Sequence, residues 1–446
     1  MGNRRKMTIS SISEIKFDKN DIPDDVLLVL KKIEEAGFLS YLVGGCLRDL
    51  LYKKIGKDWD IVTEAKPEQV QEIFCDYKTL LIGKNFQTIT LIMNSKFYHI
   101  STFRYCNKKL LAYKVNKKEK YYTLIADLMC RDFTINAIAW NHNRGLVDPA
   151  GGLKDLQQKV VRSLKPDLRF KEDPLRMLRA IRIACQLSFA IENQTKRSII
   201  KHAFLIHRVS PERIREEVGL ILESSEVTRG ILLMRQYGLE RHIFSLDRVK
   251  KELLTKKRRK QEPLSGLDAL RGDLSAQLAL WGRLFFGTVQ YTRIFYLPLI
   301  KKLRFEKKIA DKVKILLKKE WQDIDFSSSK NIRFLMADFG KENINQIFFL
   351  KKLILLGEHN ATKLNQLKEE ERLLKEELEK NPPVKLADLA IKGDDLIKIG
   401  IPTGKDMGEI LRLLMHKVLI SPESNQKDYL IGVAKEIWED LKRLNK

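Results

Sequence analysis

The chain has 446 residues, 44% of them hydrophobic, and 83 Lys plus Arg against 58 Asp plus Glu, a net charge of +25. That length holds two to four structural units with cores of their own, and the basic excess points to a polyanionic partner, nucleic acid first. No stretch nears 18 uncharged apolar residues, the opening MGNRRKMTISSISEIKFDKN has no apolar signal core, and the five cysteines form no CxxC pair. These features argue against a membrane span, a secretory signal and a structural zinc site, and make a cytoplasmic protein the expectation.

Val26, Leu27, Leu30 and Ile33 recur at helical spacing within Asp24 to Glu35, and Gly37 ends that helix. Ser40 to Val43 reads as a short buried strand broken by Gly44-Gly45, and Cys46 to Tyr52 as the helix that follows. Asp60 to Val62 predicts a second strand, and Pro67 to Phe74 a helix with proline in its first turn. Phe86 to Met93 and Lys96 to Phe103 predict a hairpin across Asn94-Ser95. Phe133 to Trp140 is apolar and fits strand or helix equally. From Asp173-Pro174 onward the chain reads almost wholly helical. The basic run KKELLTKKRRK, Lys250 to Lys260, leads into a turn at Pro263 to Gly266, and a helix over Asn360 to Lys380 stops at Pro382-Pro383.

The chemistry starts where Gly44-Gly45 closes a strand and opens a helix bearing Arg48 and Asp49. Glycines there let backbone N–H groups approach a phosphate at the helix N-terminus. Asp58-Trp59-Asp60 follows at the start of a strand. Residues i and i+2 of a strand share a face, so Asp58 and Asp60 are expected side by side. Two carboxylates so placed repel unless a cation lies between them. Mg²⁺ suits such a site, taking one or two carboxylates with water and phosphate oxygens. Alone, a DxD is far more often a solvated turn, and the remaining motifs decide. Asp173 and Pro174 are a natural N-cap and first helical residue. At i, i+3, Asp173 and Arg176 could also be an ordinary helix salt bridge.

Gly44 to Asp49 with Asp58 to Thr63 resembles the first motif of class II tRNA nucleotidyltransferases and bacterial poly(A) polymerases. Arg131 to Ala137 is similar to their second motif. Asp148-Pro149 with Gly151 to Leu156 and Arg162 resembles the third, Glu172 to Arg182 the fourth, and Ser210 to Ile214 with Glu216 the fifth. Leu280 to Phe285, Leu303 to Glu306, Leu386 to Leu396 and Gly400 to Gly404 look like the body and tail of Gram-positive-type CCA-adding enzymes.

The resemblance implies an α+β fold, a polymerase-β-like nucleotidyltransferase head with a small sheet followed by helical neck, body and tail. The expected bounds are 21–160 for the catalytic head, 161–225 for a neck with the nucleobase-selecting motif, 226–325 for the body and 326–446 for a tRNA-binding tail. It implies addition of C and A to the tRNA 3′ end from CTP and ATP without a nucleic-acid template, with Asp58 and Asp60 holding Mg²⁺. It assigns Asp173 and Arg176 to the incoming base, and Asp132 and Asn136 to the ribose. Gly44, Gly45, Arg48, Arg131, Arg179 and Arg182 fall to the rest of the nucleotide, the last two as a clamp on triphosphate oxygens or, in the plainer reading, a solvated helix face. Lysines of body and tail would hold the acceptor end and elbow of tRNA through phosphates. No feature calls for an obligate protein partner. Alternatives are a poly(A) polymerase, an enzyme adding only CC or only A, and an inactive RNA-binding homologue. Two departures stand out. His99 occupies a position where the family usually has a carboxylate, and Tyr105 to Cys130, read as the family's flexible loop, is Lys-rich and lacks the usual Asp-Gly-Arg-Arg-Pro-like element.

Overall fold

Tyr41 and Val43 lie on one face of the first strand and Leu42 on the other, and all three are fully buried. A strand buried on both faces must sit inside a sheet covered on both sides. The computed structural model describes residues 21–52, 59–82, 88–104, 122–244, 266–356 and 361–444. Asp58, residues 105–121 of the expected flexible loop and the basic run Lys250 to Lys260 lie outside them. The chain divides into two compact units, 1–246 and 247–446.

The first unit opens with α1 (Asp24–Glu35), β1 (Ser40–Val43), α2 (Gly44–Leu51), β2 (Trp59–Thr63), α3 (Pro67–Ile73) and β3 (Lys78–Ile82). Then come β4 (Thr88–Met93), β5 (Lys96–Thr102), α4 (Tyr122–Met129), β6 (Ala139–Asn141) and β7 (Gly145–Val147). The seven strands form one mixed sheet in the order β3-β4-β5-β2-β1-β6-β7. Within this sheet, among the described residues, β2 and β5 are the one parallel pair. Across the sheet, Ala139, Val43, Asp60, His99, Thr90 and Leu80 stand in register, so their side chains share a face. Leu42, Ile61, Ile100 and Ile89 form the row on the opposite face. α1 and α3 pack on strands β1, β2, β4 and β5.

α4 corrects part of the loop expectation: residues 122–129 are helix. Its Leu124, Ile125, Leu128 and Met129 pack with Tyr41, Val43, Val62 and Phe103 in one buried cluster. This helix covers the face of the sheet that carries Asp60. Asn94 and Ser95 have φ of 51° and 60°, the doubly left-handed turn that matches the twist of a two-residue hairpin. Phe133 to Trp140 divides between a 3₁₀ turn at Thr134–Asn136 and the start of β6. The edge strand β3 has no counterpart in the sequence reading.

The remainder of this unit is α5 (Gly152–Gln157), β8 (Val160–Val161), α6 (Pro166–Glu172), α7 (Leu175–Leu187), β9 (Ala190–Ile191) and α8 (Asn193–His202). A 3₁₀ stretch Ala203–Arg208 and helices α9 (Pro211–Leu222), α10 (Val227–Gln236) and α11 (Leu239–Ile243) complete it. The second unit is helical among its described residues. It contains Leu274–Phe286, Lys307–Leu316, Ser329–Phe339, Lys341–Leu356, Ala361–Glu379, Lys405–Ile420 and Lys427–Leu444. Two buried ion pairs tie it together, Lys351 to Glu370 at 2.6 Å and Arg333 to Glu377 at 2.8 Å. Among the described residues no helix is long and apolar enough to cross a membrane.

The third motif is a clamp on the second. Asp148 accepts from the Gly152 and Leu153 N–H groups at 2.8 and 2.9 Å, capping α5. Asp155 accepts from Thr134 Oγ1 at 2.6 Å and from Arg162 Nε at 3.0 Å. Gly152 runs so close that a Cβ would stand 2.2 Å from the Thr134 carbonyl oxygen. Gly152→Ala should therefore destabilise the unit by about 1–3 kcal/mol or more. Gly219→Ala, in open space on α9, should stabilise it by about 0.5–1 kcal/mol. Urea midpoints of the two variants check both signs.

Candidate active site

β1 turns directly into α2 at Gly44, whose φ is +79°. A Cβ there would fall 2.9 Å from Asp60 Oδ2 and 3.3 Å from Arg131 Nη1. Gly44 thus gives up its side chain so that the Asp60 carboxylate and the Arg131 guanidinium can stand against the backbone. Gly45 is less constrained: its Cβ would meet Arg48 Nη2 at an ordinary 3.6 Å.

From α2 a line of polar side chains crosses the site. Arg48, 8% exposed, donates from Nη1 to Asn136 Oδ1 at 2.9 Å and from Nε to Asp49 Oδ1 at 2.8 Å. Asn136 Nδ2 donates to Asp132 Oδ1 at 3.1 Å. Arg179 Nη1 donates to Asp132 Oδ2 at 3.1 Å. Arg179 Nε lies 4.0 Å from Glu217 Oε1, and Arg182 Nε donates to Glu217 Oε2 at 2.7 Å. Burial pushes the Asp132 carboxyl up, but Arg179, the Asn136 amide and Arg176 outweigh it and hold the group below the usual carboxylate range. Asp132 raises Arg179 in return, whereas burial lowers Arg182 despite its carboxylate partner.

Arg131 is placed by α4. Its Nε and Nη2 donate to Asp127 Oδ2 at 3.2 and 3.1 Å, and the other Asp127 oxygen accepts from the Arg104 backbone N–H at 3.0 Å. Asp127 was not anticipated. It is fully buried one turn before Arg131, which is the spacing of a helix ion pair.

Asp173 and Arg176 lie one helical turn apart but do not pair with each other. Asp173 Oδ2 accepts from Arg213 Nη2 at 2.8 Å, and Arg176 Nη1 donates to Glu172 Oε2 at 3.2 Å. Pro174, not Asp173, takes the N-cap of α7 and is itself helical at φ −62°, ψ −20°. Asp173 is extended one residue earlier and accepts from the Leu175 N–H at 3.2 Å. The fifth motif contributes Arg213 and Glu217 rather than Glu216. Glu216 is 64% exposed, with Arg215 at 3.6 Å. Ile214, Glu217, Val218 and Ile221 form the buried stripe of α9, so the helical phase of that stripe is the signal that identifies Glu217.

Of the predicted metal pair, Asp60 lies at the start of β2 and Asp58 is outside the described residues. His99 stands in register with Asp60 on β5, its Nδ1 3.0 Å from Thr90 Oγ1. Among the described residues no three His, Cys, Asp or Glu side chains gather as a metal site.

Three family models match the chain: the Poly A polymerase head domain over residues 40–162, the Probable RNA and SrmB-binding site of polymerase A over 188–247, and tRNA nucleotidyltransferase domain 2 over 297–434. A CCA-adding enzyme of Lactobacillus delbrueckii subsp. bulgaricus is 31% identical over 402 residues, 90% of this chain and 94% of the relative. The CCA-adding enzyme of Bacillus subtilis is 30% identical over 414 residues, 91% and 96% of the two chains. Among solved structures, the Bacillus stearothermophilus CCA-adding enzyme in complex with CTP superposes with a TM-score of 0.72 at 23% identity, covering 95% of this chain and 99% of that one. The Thermotoga maritima CCA-adding enzyme complexed with tRNA(CCA) gives 0.62 at 23%, covering 96% and 97%. These likenesses establish the fold: a polymerase-type nucleotidyltransferase head with a helical remainder. By sequence the chain belongs to the CCA-adding enzyme family.

Two predictions follow from the polar line. Glu217→Ala leaves the largely buried Arg182 without its carboxylate, though still donating to Gln186 Oε1 at 3.3 Å, and should cost about 1–3 kcal/mol, whereas Glu216→Ala should stay within about 0.5 kcal/mol of wild type; denaturant unfolding separates them. The depressed Asp132 carboxyl adds stability in full above about pH 4, lost as pH falls through its folded value. The stability gap between wild type and Asp132→Asn should therefore narrow below pH ~4, read from urea midpoints at neutral and acid pH.

Proposed function

We propose that this chain adds C and A residues to the 3′ end of tRNA from CTP and ATP, without a nucleic-acid template, by two-metal nucleotidyl transfer in the cytoplasm. The observation that carries this reading is the single hydrogen-bonded line from Arg48 through Asn136 and Asp132 to Arg179, set beside Asp60. It gathers residues of three motifs that lie far apart in sequence. The curated relatives are CCA-adding enzymes, and solved neighbours include complexes with CTP, ATP and tRNA(CCA).

The donor chemistry fits Mg²⁺: Asp60 offers carboxylate oxygen beside a glycine that leaves room for nothing larger than hydrogen. Asp58 and Asp60 would hold the ions, which when bound activate the tRNA 3′-hydroxyl and stabilise the leaving pyrophosphate. The protein's part is to position. Arg131, braced by Asp127, faces phosphate next to Asp60. Arg179, its side chain 47% exposed, and Arg182 clamp the triphosphate. When Arg179 turns to phosphate, Asp132 and Asn136 are free to meet the ribose, where a carboxylate accepts from a hydroxyl. Asp173 accepts from the amino group shared by C and A, and Arg176 donates to their ring acceptors; U and G present the wrong pattern. Arg213 and Glu172 hold those two side chains apart and aimed. The attack of the 3′-hydroxyl on the α-phosphorus is then helped by placement and fixed charge. We assign residues 21–160 to the catalytic head, 161–225 to the neck, 226–325 to the body and 326–446 to the tail.

The test uses tRNA transcripts ending before CCA, after C and after CC, with labelled CTP or ATP and Mg²⁺. We expect C on the first two and A on the third, activity lost on chelation with EDTA, and a fall of at least ~10²-fold in Asp60→Ala. No incorporation of either nucleotide would overturn the reading. Long A tails with no C would make the chain a poly(A) polymerase, and C without A, or A alone, a partial enzyme.

A further inference from the structure

One polar side chain beside Asp60 has no part in the nucleotide scheme. His99 lies on β5 in parallel register with Asp60 on β2. Paired residues of adjacent strands point to the same face, and the strands run about 4.8 Å apart. His99 and Asp60 are therefore immediate neighbours, both half-buried. Further along the same two strands α4 packs over Val62 and Phe103.

Around His99 this face is polar. Its Nδ1 lies 3.0 Å from Thr90 Oγ1, and the next pair along, Thr88 and Ser101, shares a hydroxyl hydrogen bond of 2.9 Å. On the other face of the sheet the corresponding row, Leu42, Ile61, Ile100 and Ile89, is wholly apolar. Thr90 is buried and stands on β4, which flanks β5 on the side away from β2. An imidazole has Nδ1 and Cε1 on one edge and Cδ2 and Nε2 on the other. With the Nδ1 edge turned to β4, the Nε2 edge faces β2 and Asp60. Among the described residues no group engages Nε2. The hydrogen bond made by one ring nitrogen sets the chemistry of the other. With Nδ1–H donating to Thr90 Oγ1, the lone pair sits on Nε2. A buried partner that fixes the ring and its tautomer, with the far nitrogen turned to a carboxylate, is the arrangement of a metal-ligating histidine.

We propose that His99 Nε2 is a ligand of the metal ion that Asp60 holds, which makes the site one of mixed nitrogen and oxygen donors. This rests on the reading of Asp60 as a metal-holding residue. The consequence is selectivity. Imidazole favours first-row transition ions, Co²⁺ above Mn²⁺, whereas carboxylate and water suit Mg²⁺. His99 therefore raises the affinity of the site for Co²⁺ relative to Mg²⁺, and a carboxylate in its place lowers it.

The experiment reads the ion directly, with no nucleotide present. Full-length protein is loaded with Mn²⁺ alone, and electron spin-echo modulation reports whether a nitrogen nucleus is bonded to it. Wild type should show strong nitrogen modulation. His99→Ala and His99→Asp should lose it, with His99→Asp still binding Mn²⁺. Asp60→Ala should lose the ion and the modulation together. In titrations with Co²⁺ and with Mg²⁺, the ratio of the two affinities should fall at least ~10-fold in His99→Asp. Thermal melts check the fold of each variant. Wild type that binds no Mn²⁺, or binds it without nitrogen modulation, overturns the proposal with no variant needed. Modulation that survives in His99→Ala or Asp60→Ala overturns it too, as does an unchanged affinity ratio in His99→Asp. Incorporation of CTP and ATP by wild type is measured alongside. A nitrogen ligand in a chain that incorporates neither nucleotide refutes the proposed function and leaves His99 a ligand; incorporation without a nitrogen ligand does the reverse.

Discussion

The constraint on which the first unit depends is the charge of Asp132 inside the protein. A carboxylate only 8% exposed survives as an anion only if its lone pairs are taken up, and breaking such a set from one side costs far more than forming it gains. Phe133 N–H, Asn136 and Arg179 take them up. Asn136 must then be oriented by Arg48, and Arg179 is flanked by Glu217, which also holds Arg182. Each partner fixes the next, so the rotamers of α2, the Thr134–Asn136 turn, α7 and α9 are set together. A network of this kind is effective only when complete.

Two supports keep that line where it is. The third motif clamps the Thr134–Asn136 turn through Asp155 and the tight approach of Gly152. α4 lays an apolar face over Tyr41, Val43 and Val62, carries Asp127 in its last turn and delivers Arg131 just past its end. Hydrophobic burial thus fixes a helix, and the helix fixes a guanidinium beside Asp60. The parallel pairing of β2 and β5 brings His99 next to Asp60 by backbone register alone.

Much of this was legible in the sequence where a signal was local. α1 and β1 fall on their predicted bounds because an apolar stripe with a glycine stop and a four-residue apolar run admit few other readings. The hairpin across Asn94-Ser95 follows from turn chemistry, and the helix before Pro382-Pro383 from its terminator. What was missed depends on distant partners. α4 is apolar on the side that meets the sheet and adjoins a Lys-rich segment, so it reads as loop until the sheet is in place. β3 lacks alternation because it is an edge strand, with Leu80 and Leu81 both exposed. The choice between adjacent Glu216 and Glu217 needs the phase of α9. The pairing of Asp173 with Arg213, forty residues away, cannot be read from i, i+3 spacing, which favoured Arg176.

The chain carries a net charge of +25, yet the arginines of the site already face carboxylates: Arg48 with Asp49, Arg131 with Asp127, Arg179 with Asp132, Arg182 with Glu217, Arg213 with Asp173. The paired charges of the site nearly balance within a positive field. A polyanion is gathered by the basic surface at long range, while the paired arginines of the site add little net charge of their own. On the proposed reading, a triphosphate that takes Arg179 must displace Asp132 from it, which favours molecules that supply several phosphate oxygens at the right spacing. On the same reading, binding here exchanges partners as much as it captures charge, and such an exchange depends less on salt than capture by an unpaired basic surface.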